Sequence, residues 1–123
     1  MTKQRLISYY SIVLGFGIAG LWMIILKNDK ITEGKTEMVF HIFSEFLMAT
    51  ICIISGIKLR MRHKRAVALN IIGHSMIIYS VLNAAGYYSE KGEFLATTFF
   101  LVFLAVSVAI IFYNLSYPVK NNN

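Results

Sequence analysis

Residues 38–57 read MVFHIFSEFLMATICIISGI, twenty consecutive positions with one histidine, His41, one acid, Glu45, and no Asp, Lys, Arg or proline. That length matches the roughly 20 apolar residues with which a helix crosses a hydrocarbon core about 30 Å thick. The run lacks the apolar–polar alternation of a barrel strand, and unpaired strand backbone is not tolerated in hydrocarbon, so it reads as a helix. Three further runs, residues 6–26, 66–88 and 94–115, have the same character. The fold expected is all-α, a transmembrane four-helix up-down-up-down bundle forming one integral membrane domain over residues 1–123. Short connections make consecutive helices antiparallel neighbours.

Composition agrees. The chain is 57% hydrophobic and 15% charged, against about 25% charge in soluble domains. The first apolar run is longer than the roughly 7–15 residues of a secretory signal core and is followed by Lys27-Asn28-Asp29-Lys30, so it is read as a spanning helix. A net charge of +6 is compatible with nucleic-acid binding, but its placement argues against that partner. Lys58, Arg60, Arg62, Lys64 and Arg65 crowd one loop, as cytoplasmic loops do under the positive-inside rule. With Lys3, Arg5 and Lys120 they put eight of twelve Lys/Arg on one side. Both termini are therefore expected in the cytoplasm, the protein in a cell inner membrane, and the five loop cations against anionic lipid headgroups. Tyr9, Tyr10, Tyr113 and Tyr117 are expected at one interface and Trp22, Tyr87 and Tyr88 at the other, with Tyr79 alone at mid-depth. The single Cys52 allows no intrachain disulfide and no thiolate cluster, and reads as an apolar packing residue.

Function has to be sought in the polar residues at bilayer depth, whose insertion costs roughly 2.5–3.5 kcal/mol each for charged types. Glu37, His41 and Glu45 recur every four residues and continue into Ala49, Cys52 and Gly56, a face expected to look into the bundle or at another subunit. Phe40, Phe43, Leu47, Ile51 and Ile54 form the opposite, lipid-facing side. Ser11, Gly15 and Ala19 have the small-xxx-small spacing that brings helices close. In the third run Asn70 and His74 share a face with Gly73 and Ile77, while Ser75, Tyr79, Asn83 and Gly86 share the other.

Antiparallel alignment at about 1.5 Å per residue sets Glu45 within roughly 5 Å in depth of His74, and His41 near Asn83. Glu45, His41, His74, Tyr79 and Asn83 are therefore the candidate site for a proton, ion or small ligand. Burial disfavours a carboxylate unless a donor or cation approaches; beside His74 it would form a jointly titrating pair suited to proton relay, proton-coupled transport or acid–base catalysis on a lipophilic substrate. The alternative reading is that these side chains only hydrogen-bond across helices, at about 0.6 kcal/mol each. Glu37 reads as interfacial, His63 as solvated, and Asn70 as structural. No metal and no cofactor is expected: no acid lies within the other three runs to complete a carboxylate-bridged metal site, and roughly 11 Å of depth separates His41 from His74, too far for a shared haem. Phosphate-loop, nucleophile-elbow and zinc-protease motifs are absent from the sequence.

The stretch His41-Ile-Phe-Ser-Glu45 resembles the His-x-x-x-Glu element of the sterol isomerase and sigma-2 receptor family of membrane bundles, which implies a pocket for lipophilic amines and sterols lined by His41 and Glu45. The stretch from Tyr79 to Tyr88, YSVLNAAGYY, resembles small bacterial four-helix membrane proteins of unassigned function. The first functional expectation is transport or permeation of a proton, ion or small ligand by a homo-oligomer, the pore lying between subunits. A lipophilic-ligand receptor or lipid-modifying enzyme is the second, and a noncatalytic accessory subunit bound to a partner membrane subunit the third.

Overall fold

The structure, a computed structural model, describes residues 3–28 and 35–116. They form α1 (Lys3–Asn28), α2 (Lys35–Arg60), α3 (Ala66–Glu90) and α4 (Phe94–Ser116). Each helix contains a segment long and apolar enough to cross a membrane, as in a multi-pass membrane protein. All four runs are helical, and all extend past their expected ends: α1 spans Lys3 to Asn28, α2 spans Lys35 to Arg60, α3 continues to Glu90 and α4 to Ser116. The added residues are mostly polar and lie where side chains can reach water while the backbone keeps its helical bonds. Tyr117 and Lys120 lie outside the described residues.

The α2–α3 and α3–α4 turns share one backbone solution. After α2, the Arg62 and His63 amides donate to Leu59 and Lys58 carbonyls at 3.1 and 3.0 Å; after α3, Gly92 and Glu93 donate to Ser89 and Tyr88 at 3.1 and 3.0 Å. This paired pattern ends a helix with one left-handed residue. Gly92 fills that position at φ 72°, and Arg62 at φ 55°.

Contacts are most extensive within the α1–α2 and α3–α4 hairpins, and less so between α2 and α3. Small residues set the α1–α2 approach. A Cβ on Gly15 would stand 2.7 Å from the Ala49 carbonyl oxygen, and one on Gly56 2.7 Å from that of Ser8. Ser8 Oγ donates to the Gly56 carbonyl at 2.6 Å across the same contact. Between α2 and α3, a Cβ on Gly73 would stand 3.0 Å from Cys52 Sγ, so Cys52 is a buried packing residue.

The interior is layered. Nearest the α2–α3 turn, hereafter the basic end, Ile7, Leu59, Ala66 and Ile110 form an apolar layer. Then come the fully buried polar residues Ser11, Ser55, Asn70, His74 and Ser107. Met48, Cys52 and Ile77, with Leu14 and Ile18 packed on them, make a second apolar layer. Glu45 lies beyond it. Outside, Phe40, Phe43, Leu47 and Ile54 are exposed, as a lipid-facing surface requires, whereas Ile51, expected on the same side, is half-buried beside Gly73 of α3. At the basic end the Arg60 guanidinium lies 5.1 Å above the Tyr9 ring. At the other end Lys91 Nζ sits 4.3 Å from the centre of the Tyr87 ring, and a side-chain hydrogen bond with Tyr87 raises the pKa of that ammonium above its usual value.

Candidate functional site

Among the described residues, the bundle holds two separate polar sites. The first is closed. Asn70 Nδ2 donates to Ser11 Oγ and to Ser55 Oγ, both at 2.9 Å, and Asn70 Oδ1 accepts from Asn114 Nδ2 at 2.8 Å. Ser55 Oγ donates onward to the Cys52 carbonyl at 2.9 Å. His74 bridges α1 and α4, with Nε2 3.1 Å from Ser11 Oγ and Nδ1 3.3 Å from Ser107 Oγ. Since Ser11 already accepts from Asn70, its single proton is best placed on His74 Nε2, which makes the ring the Nδ1–H tautomer donating to Ser107. Tyr10 stacks against this imidazole with centroids 6.0 Å apart. Apolar layers lie on both sides. Such a network joins all four helices and fits a role in selecting one packing arrangement, because an unmet buried partner costs about 1–3 kcal/mol.

The second site is open. Glu45 Oε2 accepts from Trp22 Nε1 at 3.2 Å, and Oε1 from Ser80 Oγ at 2.8 Å. His41, one turn along α2, packs against the Trp22 indole with centroids 5.2 Å apart and planes at 70°. Beside Glu45 a groove of about 690 Å³ runs between α2 and α3, lined by Phe40, His41, Ser44, Met48, Ser75, Tyr79 and Asn83 among others. It opens on the outside of the bundle, where Tyr79 is 73% exposed.

These positions correct one expectation. Glu45 and His74 do not meet: the α2–α3 register sets Glu45 opposite Ser80, Cys52 opposite Gly73 and Ser55 opposite Asn70. Ser80 is six residues beyond His74, about 9 Å along the helix, and Met48 and Ile77 occupy the interval. The Glu45–His74 pair is therefore replaced by two independent polar clusters. His41 and Asn83, expected at one level, do line one groove with Glu45 and Tyr79. The two faces of α3 are as expected: Asn70, Gly73, His74 and Ile77 are buried, whereas Ser75, Tyr79, Asn83 and Gly86 are exposed. Glu37 is exposed in the first turn of α2, and His63 is exposed, its Nδ1 accepting the Arg65 amide at 3.2 Å.

Sequence reasoning missed Trp22 as a carboxylate donor, assigning it to an interfacial belt, and missed Ser80, Ser107 and Asn114. A signal existed for the last two. They are seven residues apart, two helical turns, on an otherwise strongly apolar helix, and so share a face.

A family model described as Domain of unknown function (DUF8058) matches residues 1–123. No curated protein and no solved structure matches the chain, so the likeness to sterol isomerases rests on residues 41–45 alone. This four-helix chain belongs, over its whole length, to the DUF8058 family.

Proposed function

We propose that the protein binds a lipophilic molecule that enters sideways from the bilayer between α2 and α3 and presents its polar head to Glu45. The observation that carries this reading is the sheltered carboxyl group at the wall of an outward-opening groove, with its two oxygens already held by Trp22 and Ser80. The volume falls within the roughly 300–1,000 Å³ typical of small-molecule sites. Apolar flanks from Phe40, Met48, Ile72 and Met76 suit an aliphatic or ring body, while His41, Tyr79 and Asn83 supply adaptable polar contacts.

This reading takes precedence over permeation through one chain, because the layer of Met48, Cys52 and Ile77 separates the Glu45 groove from the His74 network. A pore would have to form between copies. The basic loop favours an orientation with both termini in the cytoplasm of a cell with anionic inner-leaflet lipids, Lys58, Arg60, Arg62, Lys64 and Arg65 meeting the headgroups.

The test is ligand screening in nanodiscs, with thermal stability and fluorescence of Trp22, the single tryptophan, as readouts. A sterol, a quinone or a hydrophobic amine should stabilise the parent saturably and leave Glu45→Ala unaffected. If none stabilises the parent beyond that variant, the reading fails. Proton flux in liposomes that disappears in Glu45→Gln would favour permeation instead.

A further inference from the structure

We infer that the groove selects its ligand by hydrogen-bond direction: it takes head groups that donate, hydroxyl or ammonium, over head groups that only accept, such as a ketone or ester. The inference rests on the groove being a ligand site, and it follows from where the protons of its walls already go. Ser44 Oγ donates to the Phe40 carbonyl at 2.9 Å, and Ser75 Oγ to that of Ile71 at 2.7 Å. Ser80 Oγ donates to Glu45 Oε1 at 2.8 Å. A serine has one hydroxyl proton, so all three hydroxyls are left with lone pairs only; a carboxylate offers about four acceptor sites, of which Trp22 and Ser80 occupy two.

Four polar groups of the groove, Ser44, Glu45, Ser75 and Ser80, thus point acceptors at an occupant. Ser44 and Ser80 lie near the level of Glu45, and Ser75 lies five residues from Ser80, about 7.5 Å along α3. His41, Tyr79 and Asn83 can each donate or accept, so they do not discriminate between head groups. The serine bonds to carbonyls four residues back are intrahelical, and in a site open to lipid no water competes for them. A carbonyl head beside Glu45 would set lone pairs against lone pairs, and its oxygen would find donors only at His41, Tyr79 or Asn83, away from the carboxylate. A hydroxyl or ammonium finds several acceptors within one helical turn.

The experiment uses three probes with comparable aliphatic chains, dodecanol, dodecylammonium and decyl methyl ketone, titrated as mole fraction of lipid into nanodiscs and read by Trp22 fluorescence. Dodecanol and dodecylammonium should saturate the signal at a mole fraction lower than the ketone by about tenfold or more, the usual scale for one mismatched buried hydrogen bond. In Glu45→Gln, whose amide adds two protons to the wall, the preference should shrink to within about threefold. Ser44→Ala, an exposed change that leaves the helix intact, should also reduce it. An ammonium advantage over the alcohol that Glu45→Gln removes identifies the charged source; equal binding of the two identifies the hydroxyl as sufficient. A ketone that saturates as readily as the alcohol in the parent overturns donor selection while the groove stands as a site. No saturable response from any probe overturns both.

Discussion

The indole Nε1 of Trp22 lies 3.2 Å from Oε2 of Glu45, so the single tryptophan on α1 helps satisfy the one carboxyl group that is buried among the described residues. Ser80 on α3 holds the other oxygen at 2.8 Å. The carboxyl is thereby pinned by both neighbouring helices, at the edge of a groove whose contents the same tryptophan can report.

That pairing predicts energetic coupling. Trp22→Phe and Glu45→Gln should each lower stability, and a double-mutant cycle should return a coupling of about 0.5–1.5 kcal/mol, the scale of a hydrogen bond in a partly shielded site. Reversible unfolding in mixed micelles measures it. Strict additivity would mean that the contact is energetically idle.

Asn70 should be the most sensitive polar residue of the basic half. Its amide makes three hydrogen bonds to Ser11, Ser55 and Asn114, so Asn70→Ala strands three partners at about 1–3 kcal/mol for each group left unmet. Ser107→Ala removes one contact of His74 and should cost less. Nitrogen NMR of the His74 ring should find the proton on Nδ1; the Nε2–H tautomer would refute the assigned direction of the network.

Close helix contact predicts opposite outcomes for two nearby glycines. Gly15→Ala drives a methyl group to 2.7 Å from the Ala49 carbonyl oxygen, so α1 and α2 must separate, at about 1–3 kcal/mol. Gly17→Ala meets nothing within 4 Å and should be neutral or stabilise by up to about 1 kcal/mol through helix propensity. Thermal unfolding of the pair decides whether the small-residue seam governs stability.

The two left-handed turn residues predict a further contrast. Arg62→Gly relieves a side chain at φ 55° and should stabilise the protein by about 0.5–1 kcal/mol, while Gly92→Ala, at φ 72°, should destabilise it by about 1 kcal/mol. If Arg62→Gly lowers the melting temperature, the arginine makes a compensating contact at the membrane surface, which low-salt vesicle binding would reveal.

Much of this architecture was legible in the linear chain. Run length and the absence of alternation are local properties, so four helices long and apolar enough to span a membrane, their order and most of the exposed side of α2 followed without coordinates. The four-residue spacing of His41 and Glu45 fixed their common face, and the opposed faces of α3 were readable in the same way. What no local property carried was axial register. A helix can slide by one turn, about 5.4 Å, without altering which face it shows, and short connections leave room for that slide. The contact of Cys52 with Gly73 and the bond from Asn70 to Ser55 settle it, because interlocking side chains and buried donors tolerate only one alignment. Tertiary packing alone therefore gave Glu45 to Trp22 and Ser80, gave His74 to Ser11 and Ser107, and set an apolar layer between them.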